Sequence, residues 1–340
     1  MISTTSEPKA STSAPEPANP APVPAPKARL VTLLSFPVAV LLAVPIHLAF
    51  VERQTAPESH SYSTFLALLF GLALALLAAQ AVFHSFRRWV LHMFPIIAAA
   101  VALLTVGEII TSGLQWLPLP YFPSPPAILY NLLYDRELIF DSTWHSLILL
   151  LSGYALGVVT ALVTGVCIGW FMTARYWGMP LLKIIGPIPA TAWIPLAMVV
   201  SPNTTLSAIG LIALAVWFPV TMLTASGISN TRASYLDVAR TLGASRAYLI
   251  FRVAIPAAMP NIFIGLFMGL GASFLTLVVA ETVGVRSGLG WYIGWAQAWA
   301  EYGKVYAALV IMAAFFSSIM TLLFKVRDHV LIWQKGVIKW

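Results

Sequence analysis

A charged segment interrupts the apolar C-terminal half of the chain, and its side chains are the first candidates for specific chemistry. The stretch YLDVARTLGASRAYLIFRVAIP, residues 235–256, carries Asp237, Arg240, Arg246 and Arg252 among large apolar residues. Such an amphipathic segment binds by ion pairing combined with apolar contact. The bound surface is either a lipid headgroup layer or a soluble protein. Both alternatives remain open from these residues alone.

The local sequence of this segment predicts two short helices joined by a turn. Ser234 and Asp237 have the spacing of a capping box, with the acid also favourable near the positive end of the helix dipole. Gly243 is placed for the left-handed residue that ends a helix. Ser245 then caps a second helix that extends to Arg252. A helix lying on lipid explains the arginines, but it does not explain the break at Gly243 or the acid.

A second candidate site is the proline-rich stretch PIPATAWIP, residues 187–195, inside an apolar run. Each proline frees a backbone carbonyl, and such breaks persist at membrane depth only where protein or water satisfies them. Pro189, Thr191 and Trp193 are therefore predicted to line a polar translocation pathway. The alternative is a kinked helix used only for packing.

Two acids lie in or near apolar runs, where an ionisable group is a functional candidate. For Glu281 we weigh a gate in the pathway against a structural hydrogen bond. For Glu108 we expect a position at the membrane interface. The histidines are scattered and Cys167 is the single cysteine, so no metal site is predicted.

Composition identifies the bilayer as the solvent of this chain. Hydrophobic residues make up 59% of it and charged residues only 9%. The net charge of +7 fits basic cytoplasmic loops better than nucleic-acid binding. The glycine-rich stretch GVRSGLG lacks the Lys-Ser/Thr of a P-loop, so no ATP or Mg²⁺ site and no other cofactor is expected in this chain. A membrane enzyme would need His, Asp or Glu clustered at one face, and no such cluster is visible.

Eight segments are long and apolar enough to cross the membrane. They are Leu30–Val51, Tyr62–Phe83, Met93–Leu114, Trp144–Phe171, Met179–Val200, Leu206–Leu223, Ile262–Ala280 and Tyr306–Phe324. With both termini in the cytoplasm, 15 of the 19 Lys and Arg residues fall inside and 4 outside. Glycines spaced four apart, such as Gly153 and Gly157, indicate close helix packing. Residues 1–29, rich in Pro and Ala, are predicted to be a disordered cytoplasmic arm.

The segment DVARTLGASRAYLIFRVAIP resembles the EAA motif of ABC-importer permease subunits. Residues 237–239 stand for Glu-Ala-Ala, Gly243 for the motif's glycine and Pro256 for its proline, with every interval preserved. In that family the loop is a coupling helix that docks in a groove on a cytoplasmic ATPase. The resemblance assigns this role to Asp237, Val238, Ala239, Arg240, Gly243, Ala244, Arg246 and Pro256.

Three further stretches are similar to the nitrate, sulfonate, taurine and bicarbonate branch of these permeases. They are FPSPPAILYNLL at 122–133, IIGPIPATAWIPLAMVV at 184–200 and VVAETVGVRSGLGWYI at 278–293. The resemblance implies an all-α polytopic membrane protein of the bacterial inner membrane. It has a six-helix type I importer core at 87–340, with the coupling loop at 231–256, and two additional helices at 30–86.

The same resemblance implies the partners and the mechanism. They are ATPase subunits that bind ATP and Mg²⁺, a second permease copy or a similar chain, an extracytoplasmic substrate-binding protein and lipid. Alternating access would then import a small anion. The alternative is a secondary transporter driven by an ion gradient, which needs midplane acids and an inverted repeat. The acids here lie near span ends, and no clear repeat is visible.

Overall fold

The computed structural model describes residues 26–50, 56–82, 84–117 and 119–334, and this part of the chain consists of helices and connecting loops without a strand. The helices are α1 (Pro26–Ala49), α2 (Ala56–Val82), α3 (His84–Glu108), α4 (Pro125–Tyr134), α5 (Arg136–Trp170), α6 (Met172–Ile185), α7 (Ile194–Val200), α8 (Thr204–Ser229), α9 (Ala233–Thr241), α10 (Arg246–Tyr248), α11 (Ile255–Val283), α12 (Leu289–Ala298) and α13 (Tyr302–Val330). The predicted all-α class is therefore confirmed. Most of the predicted arm lies outside the described residues, and residues 26–29 form the first turn of α1.

Seven of the described helices are long and apolar enough to cross a membrane, and an eighth span exists if one bent pair counts as one. Of the eight predicted spans, Met179–Val200 is the one that the structure divides between two helices of a bent pair. The axes of Met172–Ile185 and Ala190–Val200 differ by 85°. Proline provides the physical reason, because Pro187 and Pro189 lack the N–H that continues a helix and push the preceding residue away from helical dihedrals. Met179–Val200 is therefore not one straight helix, and the predicted interruption at the prolines is confirmed.

Contacts divide the chain into two compact units, and the first holds the described residues of Met1–Leu48 together with Phe65–Thr105. Its core is built on the edge-to-face pair of Phe36 and Phe94, whose ring centroids lie 5.4 Å apart. This pair joins α1 to α3. Most of α3 is grouped with α1 and α2 in this unit, and the predicted start of the core domain at residue 87 stays a prediction.

The second unit, Ala49–Thr64 with Val106–Trp340, is organised around α8, which packs closely against both α5 and α11. Gly153, Gly157, Gly165 and Gly169 on α5 all face α8, and Gly265 and Gly269 on α11 face it from the other side. A Cβ atom at any of these positions would lie within about 3 Å of α8. The predicted role of the spaced glycines in helix packing is confirmed.

The helices of this unit separate two functional ends. Helix α11 begins beside the charged segment and ends at the glycine-rich loop Gly284–Gly290, and α8 runs between the same two ends in the opposite direction. At 1.5 Å per residue, the 29 residues of α11 span about 43 Å. We call these the coupling-loop end and the glycine-loop end.

Candidate coupling surface and translocation pathway

The turn at Gly243 has the geometry that its sequence position predicts. Helix α9 ends at Thr241, Leu242 is its C-cap, and Gly243 follows with φ +83°. The Ala244 N–H donates to the Ala239 carbonyl at 3.0 Å, and the Gly243 N–H donates to the Arg240 carbonyl at 2.9 Å. These two bonds are the Schellman pair, which satisfies carbonyls that a helix end leaves open. The direction in which the chain leaves α9 therefore depends on a left-handed residue at 243.

The start of α9 differs from the prediction. Arg232 occupies the N-cap position without a side-chain cap, and Ser234 already lies inside the helix. Asp237 falls beyond the first turn, where its carboxylate pairs with Arg240 at 3.0 Å. The predicted capping box is wrong because the helix begins earlier than the Ser-x-x-Asp spacing indicates. Both partners of the pair are more than half exposed, so the pair shapes the surface charge and adds little stability.

The second short helix also differs from the prediction, because it does not end at Arg252. Ser245 caps it, accepting from the Tyr248 N–H at 3.3 Å, and the helical path then continues through a π segment, Leu249–Ala254, into α11. Arg246–Val283 is therefore one continuous helix of 38 residues. The π segment lies directly before Pro256, whose missing N–H already interrupts the regular α-helical hydrogen bonds.

The solvent-exposed side of this loop carries many large apolar side chains. Tyr235, Val238, Leu242 and Tyr248 are all exposed, with Leu242 at 82%. They surround a groove of about 630 Å³, which Ala239, Gly243 and Arg252 also line. Clustered exposed apolar residues on a charged loop are typical of a protein-binding surface. We call the residues lining this groove the coupling surface.

The broken helix pair lines a separate cavity of about 340 Å³. Pro189 and Thr191 line it, opposite Phe218 on α8 and both Met268 and Thr276 on α11. Two of the four predicted pathway residues are thus brought together at one cavity. Trp193 does not line it, and its buried indole N–H has no hydrogen-bond partner within the described residues. The lining is mainly apolar, so Thr191 and Thr276 supply its side-chain hydroxyls.

Glu281 lies elsewhere, in a buried network that holds the glycine-rich loop. Its carboxyl accepts from the Ser146 hydroxyl at 2.7 Å and from the Gly290 N–H at 2.8 Å. Ser146 in turn accepts from the Leu289 N–H at 2.8 Å. Gly288, at φ +102°, lies so close that any Cβ atom would collide with this carboxyl. Of the two roles weighed for Glu281, these contacts match the structural hydrogen bond and place it away from the pathway cavity.

We expect Glu281→Gln to lower the thermal stability of the chain without changing its insertion. An amide can accept only on one oxygen, so the Ser146 hydroxyl or the Gly290 N–H loses its acceptor, at about 1–3 kcal/mol. Thermal unfolding in detergent measures the loss. Glu137→Gln, at an exposed position of α5, is the control and should leave the transition unchanged. An unshifted transition for Glu281→Gln would show that the network is dispensable.

Sequence reasoning missed an ionic cluster at the same end. Asp135 accepts from the Tyr292 hydroxyl at 2.8 Å and pairs with Lys304 at 3.3 Å, and Lys304 also pairs with Glu301 at 2.9 Å. Burial, followed by the bond to Asp135, raises the pKa of Tyr292, which keeps the hydroxyl protonated as a donor. The separation of Asp135 and Tyr292 in sequence left no local signal for this contact.

Only 1% of Glu108 is exposed, so its side chain is enclosed by protein, and its expected position at the membrane interface stays a prediction. Within the described residues, no group of three or more His, Cys, Asp or Glu side chains is arranged to hold a metal ion.

Comparison with known proteins shows that the match to one protein family covers all of these features. A family model described as "Binding-protein-dependent transport system inner membrane component" matches residues 67–330. That range includes the coupling surface, the pathway cavity and the glycine-rich loop.

Individual relatives and a solved structure agree with this match. A probable ABC transporter permease protein of Brucella melitensis is 34% identical over 55% of this chain and 77% of its own length. The taurine transport system permease protein TauC of Escherichia coli is 31% identical, covering 64% and 81%. A putative aliphatic sulfonates transport permease protein, SsuC of Bacillus subtilis, is 34% identical, covering 47% and 58%. An inward-facing structure of the MetNI methionine ABC transporter superposes with a TM-score of 0.50 at 17% identity, covering 58% of this chain and 97% of that one, which supports the fold alone.

Proposed function

Because the chain belongs to the family of binding-protein-dependent transport system inner membrane components, we propose that it is the permease subunit of an ATP-driven importer of a small anion. The coupling surface is the observation that supports an ATPase as the energy source. A loop that exposes Leu242 and Tyr248 beside arginines, on a turn with defined geometry, fits a groove on a soluble ATPase. The ATPase would bind ATP and Mg²⁺, and this chain would supply the pathway.

The proposed substrate is a sulfonate or a related oxyanion. Relatives named for taurine and aliphatic sulfonates support this class, and nitrate and bicarbonate belong to the same range of small anions. The pathway cavity of about 340 Å³ between α8, α11 and the broken helix pair is the proposed route. Alternating access would open that route to each side in turn, and the second permease copy would complete it.

The proposed orientation places the coupling-loop end in the cytoplasm and the glycine-loop end outside. It follows from the distribution of Lys and Arg, of which 15 of 19 then lie inside. The chain would lie in the bacterial inner membrane, both termini would be cytoplasmic, and a substrate-binding protein would dock at the glycine-loop end.

Leu242→Asp tests the docking proposal at a residue that folding does not need. Leu242 is 82% exposed, so the substitution should leave insertion and thermal stability unchanged. Losing its apolar contact should weaken ATPase association about tenfold or more. Co-purification of the ATPase and its substrate-stimulated ATP hydrolysis measure the effect.

Thr241→Asp is the matched control for that substitution. It adds the same charge one residue earlier, at an exposed position that does not line the groove. ATPase association equal to wild type in both variants would contradict docking at this surface. Uptake driven by an ion gradient without any ATPase would contradict the proposed energy source.

A further inference from the structure

A second cavity of about 750 Å³ lies at the glycine-loop end, separate from the pathway cavity. Three parts of the second unit form its wall. The first is the last turn of α7 with the start of α8, which contribute Met198, Thr204 and Thr205. The second is the end of α11 with the following loop, residues 282–287, and the third is Trp291 of α12. It lies at the opposite end of α11 from the coupling surface, and neither the pathway assignment nor the docking proposal uses it.

The charge of this cavity is positive. Arg286 is the one charged residue in its lining. The Arg286 guanidinium is exposed and forms no ion pair within the described residues. Thr204, Thr205 and Ser287, which carry hydroxyl groups, also line the cavity. Guanidinium donors in a fork, supplemented by hydroxyls, match the oxygens of a tetrahedral oxyanion.

The remaining wall is apolar and fits a short organic group. Met198, Val283 and Trp291 line it. The Trp291 ring stacks on Trp295 with centroids 6.5 Å apart, so its face is held in place by a neighbour on the same helix. A ligand that joins an anionic head to a small uncharged or apolar tail would satisfy both sides. Inorganic anions would use only the Arg286 side.

We propose that this cavity is a receiving site for the sulfonate group of the substrate, with Arg286 as its charge-binding residue. The proposal deepens the proposed function, and its direction of transport rests on that function. A released sulfonate would be held by Arg286 and the hydroxyl groups before it enters the route between α8 and α11. The cation sits at the mouth and not within the pathway, whose described lining carries no charged residue.

A single reactive cysteine in the cavity tests the proposal. Cys167 is the only cysteine of the chain, so Cys167→Ser gives a background into which Thr282→Cys can be introduced, at an exposed residue that lines the cavity but has no role in the proposed binding. The purified full chain with its co-purifying subunits is labelled with an anionic methanethiosulfonate ethylsulfonate or a cationic trimethylammonium analogue. We expect the anionic reagent to react faster, and millimolar ethanesulfonate to slow that reaction.

Arg286→Gln should lower the ratio of anionic to cationic labelling rates about fivefold or more and abolish protection by ethanesulfonate. Arg286→Lys retains the charge and should retain most of the ratio. Arg136→Gln removes an exposed arginine at the start of α5, away from the cavity, and should behave like its parent. An unchanged ratio in Arg286→Gln, or labelling that ethanesulfonate does not slow, would overturn the proposal.

Lipid headgroups share the chemistry of an oxyanion, so a second arm compares nanodiscs of phosphatidylcholine with nanodiscs containing phosphatidylglycerol. Protection by phosphatidylglycerol in place of ethanesulfonate would assign Arg286 to lipid and overturn the receiving site. Labelling needs neither ATP nor turnover. A failure of the proposed importer function would therefore appear as absent ATP-driven uptake, independently of whether ethanesulfonate protects the cysteine.

Discussion

Gly243→Val is expected to insert and fold like the wild type while losing at least about nine tenths of substrate-stimulated ATP hydrolysis and transport. Gly243 adopts φ +83°, and no atom lies within 4 Å of the position that a Cβ would take. The cost is therefore conformational, on the order of 1–2 kcal/mol for a residue with a Cβ in the left-handed region, and higher for a β-branched one. The loop would relieve that strain by abandoning the Schellman geometry. This rearrangement would change the orientation of α9 relative to α10.

The control at this position is Gly243→Asn, because asparagine tolerates the left-handed region best among residues with a Cβ. It should retain most of the coupling. ATPase co-purification and ATP turnover in reconstituted complexes distinguish the variants. If the segment only lies on lipid, Gly243→Val is silent and removing Arg240, Arg246 and Arg252 reduces membrane association instead. Wild-type coupling in Gly243→Val would remove the coupling assignment.

Gly157→Val is expected to destabilise the bundle by about 3 kcal/mol and to reduce the yield of folded protein severely. A Cβ at this position would lie 2.7 Å from the Ala213 carbonyl oxygen and 2.7 Å from the Val216 Cβ. The first neighbour is backbone and cannot rotate away, so α5 and α8 would have to separate. That separation would also open the contact that positions α8 against α11.

Gly210→Val on α8 is the matched control, because no atom lies within 4 Å of its Cβ position. It makes the same chemical change in a membrane helix and should leave thermal unfolding close to wild type. Thermal unfolding in detergent, read by the loss of a monodisperse elution peak, measures both variants. Equal stability of the two would show that α5 and α8 tolerate a wider spacing than this structure has.

The features that could be predicted from sequence share one property. Each depends on a residue that determines the conformation of the adjacent backbone or the packing face of its own helix. Gly243 was predictable because few residues other than glycine adopt a positive φ at low cost, and the spacing to the flanking helices is short. Pro187 and Pro189 lie two residues apart and remove two N–H donors from one turn, which favours a break, whereas single prolines such as Pro219 and Pro260 lie inside helices. The glycines of α5 were identifiable as packing residues because a period of four places them on one face.

The features that sequence did not predict depend on residues far apart in the chain. Glu281 and Ser146 are separated by 135 positions, so the loop-holding role of Glu281 was visible only as one of two alternatives. The grouping of α3 with α1 depends on Phe94 meeting Phe36. The error at Ser234 has a different origin, because the helix begins at Ala233, before the Ser-x-x-Asp spacing, and Arg232 at the N-cap forms no side-chain cap.

In the proposed mechanism, the continuous helix Arg246–Val283 would act as a lever. Thirty-eight helical residues extend about 57 Å, so a tilt of about 5° about one end displaces the other by about 5 Å. In the proposed complex, an ATPase that displaces Arg246 would move Thr282, at the wall of the Arg286 cavity, through this one helix. The π segment Leu249–Ala254 and the prolines that follow it, Pro256 and Pro260, interrupt the regular hydrogen bonds of the helix and would absorb part of the displacement. The stiffness of this region would then set how much of the proposed ATP-driven movement reaches the glycine-loop end.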